Sequence, residues 1–298
     1  MALGVRRSRD CSRTAPAVRL SALPPETQRT VKVLLLANQD LASNYALNLL
    51  LPKLRGHSLY LMLSSAVGGG KRRAPQLEML KFFEQGLFND IVFPLLDNGA
   101  QARMRSFHGL SSMLRSPPVI ENHINGEEGI AKVDAISPDL IISIRYGGIL
   151  RDAVISLPPL GVINLHSGLL PSYRGVMASF WAMLAGDQEL GTTLHFIEDS
   201  SIDTGGVISQ TLSPLVPGKS YLWQVINLYA DGVAEMAAAV ETLASGRSLH
   251  TTVQSSGGHY YSFPGPEELG RFTKSGHVLF DPSEVIELIQ MYYLEPTI

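Results

Sequence analysis

The stretch from Val31 to Leu63, V-K-V-L-L-L-A-N-Q-D-L-A-S-N-Y-A-L-N-L-L-L-P-K-L-R-G-H-S-L-Y-L-M-L, decides the fold class. Val31 to Leu36 is an apolar run interrupted only by Lys32, as a strand buried on both faces of a parallel sheet requires. Leu41, Tyr45 and Leu49 then recur at helical spacing until Pro52 ends the segment, and Leu59 to Leu63 supplies a second apolar strand. Helical and short apolar segments go on alternating through Gln76 to Phe88, Glu128 to Ile136, Asp139 to Ile144, Arg151 to Leu157 and Gly161 to Asn164. The predicted class is α/β: a Rossmann-like, open, twisted and mostly parallel sheet with helices on both faces.

Downstream, Gly175 to Ala185 reads as a helix and Thr192 to Ile197 as a strand, with Val207 to Leu212 pairing antiparallel to it. A core domain over 30–217 is expected, followed by a small α+β extension over 218–298. In that extension Leu222, Ile226, Tyr229, Val233, Met236, Val240 and Leu243 alternate four and three apart, the stripe of an amphipathic helix capped by Gly246. Asp281-Pro282-Ser283-Glu284 predicts a last helix with a cap, a proline in the first turn and a reciprocal acid. Residues 1–29 carry Arg6, Arg7, Arg9, Arg13, Arg19 and Arg29 against Asp10 and Glu26, without apolar periodicity, and are expected to be a disordered tail; an organellar transit peptide is the other reading.

The 298 residues are 45% hydrophobic and 17% charged, with 24 Lys and Arg against 27 Asp and Glu, so no global positive field exists to gather nucleic acid or anionic lipid. The single cysteine, Cys11, can neither form an internal disulfide nor build a cysteine-ligated metal site, and a cytoplasmic protein is expected. Ala153 to Tyr173 is free of charge but holds Pro158, Pro159, Asn164, His166 and Pro171, which argues against a membrane span. Gly68-Gly69-Gly70-Lys71 suggests a phosphate loop, yet Ser65 stands where its first glycine belongs and Arg72 where a hydroxyl belongs. No G-x-G-x-x-G, G-x-S-x-G or H-E-x-x-H occurs, and His57, His108, His123, His195, His250, His259 and His277 lack ligand spacing, so each is taken as structural and no metal is expected.

What remains is Val162-Ile163-Asn164-Leu165-His166-Ser167-Gly168-Leu169-Leu170-Pro171-Ser172-Tyr173-Arg174-Gly175, which puts Asn164 and His166 immediately after a buried strand. In an open α/β sheet ligands bind at the carboxyl ends of the strands, and a period of two points both side chains the same way. Asp199-Ser200-Ser201-Ile202-Asp203-Thr204-Gly205-Gly206, after another strand, offers two carboxylates on a loop that can reach the same spot. An amine attacking an acyl carbon creates an oxyanion and a protonated nitrogen. An amide donor (Asn164), an imidazole (His166) and a carboxylate (Asp203) meet those needs.

N-x-H followed by L-L-P-x-Y-R-G, then D-x-G some forty residues on, resembles the folate-dependent formyltransferase family, whose members act on glycinamide ribonucleotide, initiator methionyl-tRNA and amino sugars. The likeness covers roughly Val31 to Leu212. It implies catalytic roles for Asn164, His166 and Asp203, and 10-formyltetrahydrofolate as co-substrate. It further implies that the folate is gripped by Arg145, Tyr146, Gly147, Ile149 and Leu150, largely through backbone groups, and by the loop from Ile197 to Asp203, which includes Asp199. Tyr146 and Ile149 read equally well as packing residues. Methionyl-tRNA-directed members commonly read H-x-S-L, whereas here the serine of His166-Ser167-Gly168-Leu169 stands one place early.

From Thr211 onward four basic residues (Lys219, Arg247, Arg271 and Lys274) face nine acidic ones, the reverse of what an RNA-clasping extension needs. The expected partners are the folate donor and a small-molecule amine, either a nucleotide-linked amino sugar or an amine of specialised metabolism such as a hydroxylated ornithine. Nucleic acid and membrane are disfavoured. A methionyl-tRNA formyltransferase, a formyltetrahydrofolate hydrolase and an inactive scaffold on the same fold are the alternatives. Family members are often dimers, and either the helix from Leu222 to Leu243 or the aromatic segment around Tyr260 offers an interface for a homodimer.

Overall fold

The computed structural model describes residues 29–67, 73–98 and 102–294. The arginine-rich start (1–28) and the loop at Gly68 to Lys71 lie outside them.

The opening β-α-β unit is β1 (Lys32–Asn38), α1 (Leu41–Leu50) and β2 (Ser58–Ser64). Asp40 sets the start of α1: its carboxylate accepts from the Ser43 backbone N–H at 2.8 Å, satisfying one of the donors that a helix leaves free. Next comes a helical run, α2 (Pro75–Lys81), two π-helical turns (Phe82–Gly86 and Phe88–Val92) and α3 (Phe93–Asp97). It outruns the predicted Gln76 to Phe88 because Phe88, Val92, Phe93 and Leu96 are buried and hold the later turns to the core. The edge strand β3 (Val119–Ile120) is two exposed residues long, too short to leave a pattern in the sequence.

Then follow α4 (Glu127–Ile136), β4 (Leu140–Ile144), α5 (Asp152–Ile155) and β5 (Val162–His166). Asn164 and His166 therefore belong to the strand itself rather than to the loop after it. Tyr173–Gly175, where a helix was expected to begin, forms the short strand β6, and α6 (Ala178–Ala185) starts beyond it. The sheet is completed by β7 (Glu189–Phe196) and β8 (Val207–Pro214), in the order β3-β2-β1-β4-β5-β7-β8. The first five strands in that order are parallel; β7 and β8 are antiparallel additions, as predicted for β8.

Alternate residues feed two cores. Val33, Leu35 and Ala37 of β1 join a large cluster with α1 and the C-terminal helices, while Leu34 and Leu36 join a smaller one with Val133 of α4 and Val154 of α5. Burying each such aliphatic side chain contributes about 1.5–3 kcal/mol. The predicted helix over Leu222 to Leu243 is divided at Leu228 into α7 (Tyr221–Asn227) and α8 (Tyr229–Ala244), yet every residue of its apolar stripe is buried in the large cluster. Strand β9 (His259–Tyr261), α9 (Pro266–Lys274) and α10 (Pro282–Leu288) follow.

Asp281 caps α10, accepting from Ser283 N–H at 2.8 Å, but Glu284 does not close the expected reciprocal box. Its carboxylate instead accepts from the hydroxyl of Ser220 at 2.5 Å and from the Ser220 backbone N–H at 3.1 Å, tying α10 to the start of α7. Both residues are buried, and truncating Ser220 removes the shorter of the two bonds, leaving Glu284 with the backbone N–H and the Lys219 ammonium 3.8 Å away. Ser220→Ala is expected to lower unfolding free energy by about 1–3 kcal/mol, read as a shifted urea midpoint at unchanged slope.

Candidate active site

The parallel strands β1, β2 and β3 succeed one another outward on one side of the middle of the sheet and β4 and β5 on the other, so a crevice opens between the carboxyl ends of β1 and β4. A cavity of ≈ 320 Å³ lies there, lined among others by Asn38, Arg145, Asn164, His166 and Asp203. All nine predicted site residues border it: Asn164, His166, Asp203, Arg145, Tyr146, Gly147, Ile149, Leu150 and Asp199.

Asn164 and His166 share one face of β5, opposite to Ile163 and Leu165, which are buried in the large core. Antiparallel pairing sets His195 of β7 directly across from Asn164. Directly opposed residues project to the same face, so the two side chains meet, with Asn164 Nδ2 3.1 Å from His195 Nε2. The His195 Nδ1–H donates to the Phe196 carbonyl at 2.8 Å, which turns Nε2 toward both the Asn164 amide and Asp203. His195, taken from the sequence as structural, is therefore part of the site. Its signal lay in the strand predicted at Thr192 to Ile197, but the β5–β7 register that aligns it with Asn164 is not written in local sequence.

His166 donates from Nε2–H to the Tyr173 carbonyl at 2.7 Å, which leaves Nδ1 facing Asp203. The Nδ1 to Asp203 Oδ2 distance of 3.6 Å exceeds a good hydrogen bond, so Nδ1 is the imidazole nitrogen free to exchange a proton with a ligand. Asp203 stands in left-handed backbone conformation (φ 56°), an uncommon choice for a residue with a side chain. That turn brings Oδ2 to accept from the Gly175 N–H at 2.8 Å and Oδ1 to within 3.5 Å of His195 Nε2. Burial alone would raise the Asp203 carboxyl, but the two imidazoles and the Gly175 N–H outweigh it and hold it down at about 2. Asp203 is thus ionised at any physiological pH. Asp199 is exposed at the rim, its carboxylate closing a turn onto Ser201 N–H at 2.7 Å.

Several polar groups of the loop after β4 are already engaged. The Tyr146 hydroxyl donates to the Glu121 carbonyl at 2.6 Å, Gly147 N–H donates to Ser64 Oγ at 2.8 Å, and the Ile149 carbonyl accepts from Asn125 Nδ2 at 2.8 Å. Arg145, also left-handed (φ 58°), turns its guanidinium inward, with Nε donating to Asp40 at 3.0 Å and Nη2 3.6 Å from Glu84. The Arg145 side chain thereby anchors the loop whose backbone was expected to grip the folate. Asp40 and Glu84 are further wall groups that the sequence did not single out: Asp40 looks like a helix cap, and Glu84 sits in a π-helical turn without a motif.

Burial pushes the Glu84 carboxyl up, and Asp40 adds to this against the pull of Arg145 and Arg73, leaving it at about 7. A carboxyl raised in the folded state favours folding at low pH, and that contribution is lost as pH rises from its ordinary 4.5 toward 7. Arg145→Met removes the cation between two buried carboxylates. It is expected to cost about 3–5 kcal/mol at pH 7.5 and to regain part of that at pH 5, measured by denaturant unfolding.

Residues 98–224 match the formyl transferase family model. Over 122 residues the chain is 41% identical to a methionyl-tRNA formyltransferase of Koribacter versatilis, covering 40% of this chain and 37% of that protein. A second methionyl-tRNA formyltransferase, from a Synechococcus strain, is 37% identical over 116 residues, 39% of this chain and 35% of its own length. The chain thus aligns with well under half of the curated relatives it matches. Among solved structures, a sugar N-formyltransferase from a Shewanella species superposes with a TM-score of 0.52 at 14% identity, covering 80% of this chain and 78% of that one. Glycinamide ribonucleotide transformylase 1 of Symbiobacterium toebii gives the same TM-score and identity over 78% and 96%. The fold and site define an open α/β protein with an amide, two imidazoles and a carboxylate at its sheet edge. Within that class, the chain carries a formyl transferase segment at residues 98–224, as its motifs implied.

Proposed function

We propose that the protein is a 10-formyltetrahydrofolate-dependent N-formyltransferase acting on the amine of a small molecule, a nucleotide-linked amino sugar or a specialised-metabolism amine. The observation that carries this reading is the meeting of Asn164, His166, His195 and Asp203 at one wall of the cavity. A folate fits the cavity's character: its size lies in the range of ligand pockets, and Leu150 and Ile197 give it an apolar wall beside the backbone of the loop after β4. When bound, 10-formyltetrahydrofolate supplies the activated one-carbon acyl group.

The residues then divide the work. Asn164, its amide nitrogen 3.1 Å from His195 Nε2, has an N–H to stabilise negative charge developing on an acyl oxygen. His166 moves protons at Nδ1, since Nε2 is held by the Tyr173 carbonyl. Asp203, ionised throughout, favours the protonated form of either imidazole, so the proton shed by the attacking amine passes to an imidazole while the carboxylate stays charged beside it. Arg145, through Asp40 and Glu84, holds the loop whose backbone, from Tyr146 to Leu150, and whose neighbour Asp199 would contact the folate.

The acidic balance beyond Thr211 favours a small acceptor over RNA. The second reading is a methionyl-tRNA acceptor, favoured by the names of the relatives that match 39–40% of the chain. Incubating the protein with 10-formyltetrahydrofolate and a panel of amines, initiator methionyl-tRNA included, distinguishes them. Tetrahydrofolate release coupled to a product heavier by one formyl group is expected with a small amine; formylation of the tRNA alone selects the second reading, and no formylated product in any arm contradicts both. Asn164→Ala, His166→Ala and Asp203→Asn are each expected to keep the fold by circular dichroism and to lose rate by on the order of a hundredfold or more. Normal turnover in any two would refute the site.

A further inference from the structure

Two catalytic candidates are held by a short strand that is itself supported by a segment outside the family match. His166 Nε2–H donates to the Tyr173 carbonyl and Asp203 Oδ2 accepts from the Gly175 N–H, so both ends of β6 touch the site. Three residues cannot form a stable strand alone. β6 has a single sheet partner among the described residues: β9, running parallel with Tyr173 beside His259 and Gly175 beside Tyr261. The Val176 N–H donates to the Tyr261 carbonyl at 2.9 Å and the His259 N–H to the Ser172 carbonyl at 3.3 Å.

Side chains fix this pairing. The Tyr261 ring stacks on Trp181 (centroids 4.7 Å apart, planes at 24°) and on Tyr173 (5.9 Å, 27°). Gly175 and Gly258 allow the close approach: a Cβ at Gly175 would lie 2.2 Å from the Tyr261 carbonyl oxygen, and one at Gly258 1.8 Å from that of Pro171. A few residues earlier, Thr252 bridges to Val207 of β8, and Gln254 Nε2 donates to the carbonyls of Asp203 (3.0 Å) and Gly205 (2.8 Å), bracing the left-handed turn that aims the carboxylate.

We propose that residues 252–263 form a positioning strap for the site: Tyr261, through β6, sets the carbonyl that fixes the proton on His166 Nε2, and Gln254 sets the backbone of Asp203. Neither Tyr261 nor Gln254 borders the cavity, so each acts through the residues it holds. The inference rests on the formyl-transfer reading only for its kinetic consequence; the geometry of His166 can be followed without any substrate.

The test is nitrogen-15 NMR of the imidazoles in the full-length protein, together with steady-state rates against folate donor and acceptor. In the unmodified protein His166 should show the Nε2–H tautomer with a slowly exchanging proton. Tyr261→Ala should lose that protected proton and lower kcat by about tenfold to a hundredfold, the cost of displacing a reacting group by about 1 Å, while Tyr261→Phe keeps both. Gln254→Ala, which leaves the ring stack untouched, should lower kcat while His166 keeps its proton, and guards against Tyr261→Ala failing to fold. A folded Tyr261→Ala with the original His166 signal, or a Gln254→Ala with unchanged kcat, would overturn the strap. If no amine is formylated by the unmodified protein, the functional reading fails while the NMR comparison still decides the strap.

Discussion

Much of this molecule's local structure is arranged around one carboxylate. Asp203 accepts from the Gly175 N–H and lies within 3.6 Å of nitrogens on both His166 and His195. A buried anion is costly unless paired and hydrogen-bonded, so the surroundings of Asp203 must be built before its charge is tolerable. The left-handed turn at Asp203, the short strand β6 and the β5–β7 register all serve that end. Each is awkward in isolation. Their common result is that an amide, two imidazoles and a carboxylate face one cavity.

The sheet supplies the rest by topology. Reversal of strand order, not of strand direction, at the middle of the sheet opens a crevice at the carboxyl ends of the parallel strands β1 and β4, and β5 brings Asn164 and His166 to its rim. Behind the cavity lie apolar cores on the two faces of the sheet. Arg145 does for the β4 loop what Gly175 does for the Asp203 loop, spending its donors on Asp40 and Glu84 to hold backbone in place rather than reaching for a ligand.

The alternation of apolar strands and helices was legible because buried parallel strands must be continuously apolar, and Val31 to Leu36 can be little else. Asn164 and His166 were legible as polar residues at the end of such a strand. His195 was not, since its partnership with Asn164 depends on a pairing register between strands thirty residues apart. Glu284 was assigned to its own helix cap because capping boxes are local; its actual partner, Ser220, lies 64 residues away. The break at Leu228 and the strand at Tyr173 were hidden for the same reason: tertiary pairing overrides short-range pattern. The roles of Asp40 and Glu84 carried no signal beyond residue type.

The claim on which the account turns is that Asp203 is a carboxylate held ionised by two histidines and a backbone N–H. Carbon-13 NMR titration of its side-chain carboxyl in the intact protein measures this directly. The account predicts a midpoint near 2. A midpoint at the ordinary 3.8 or above would mean that the two imidazoles do not engage it, and the site as described would not exist.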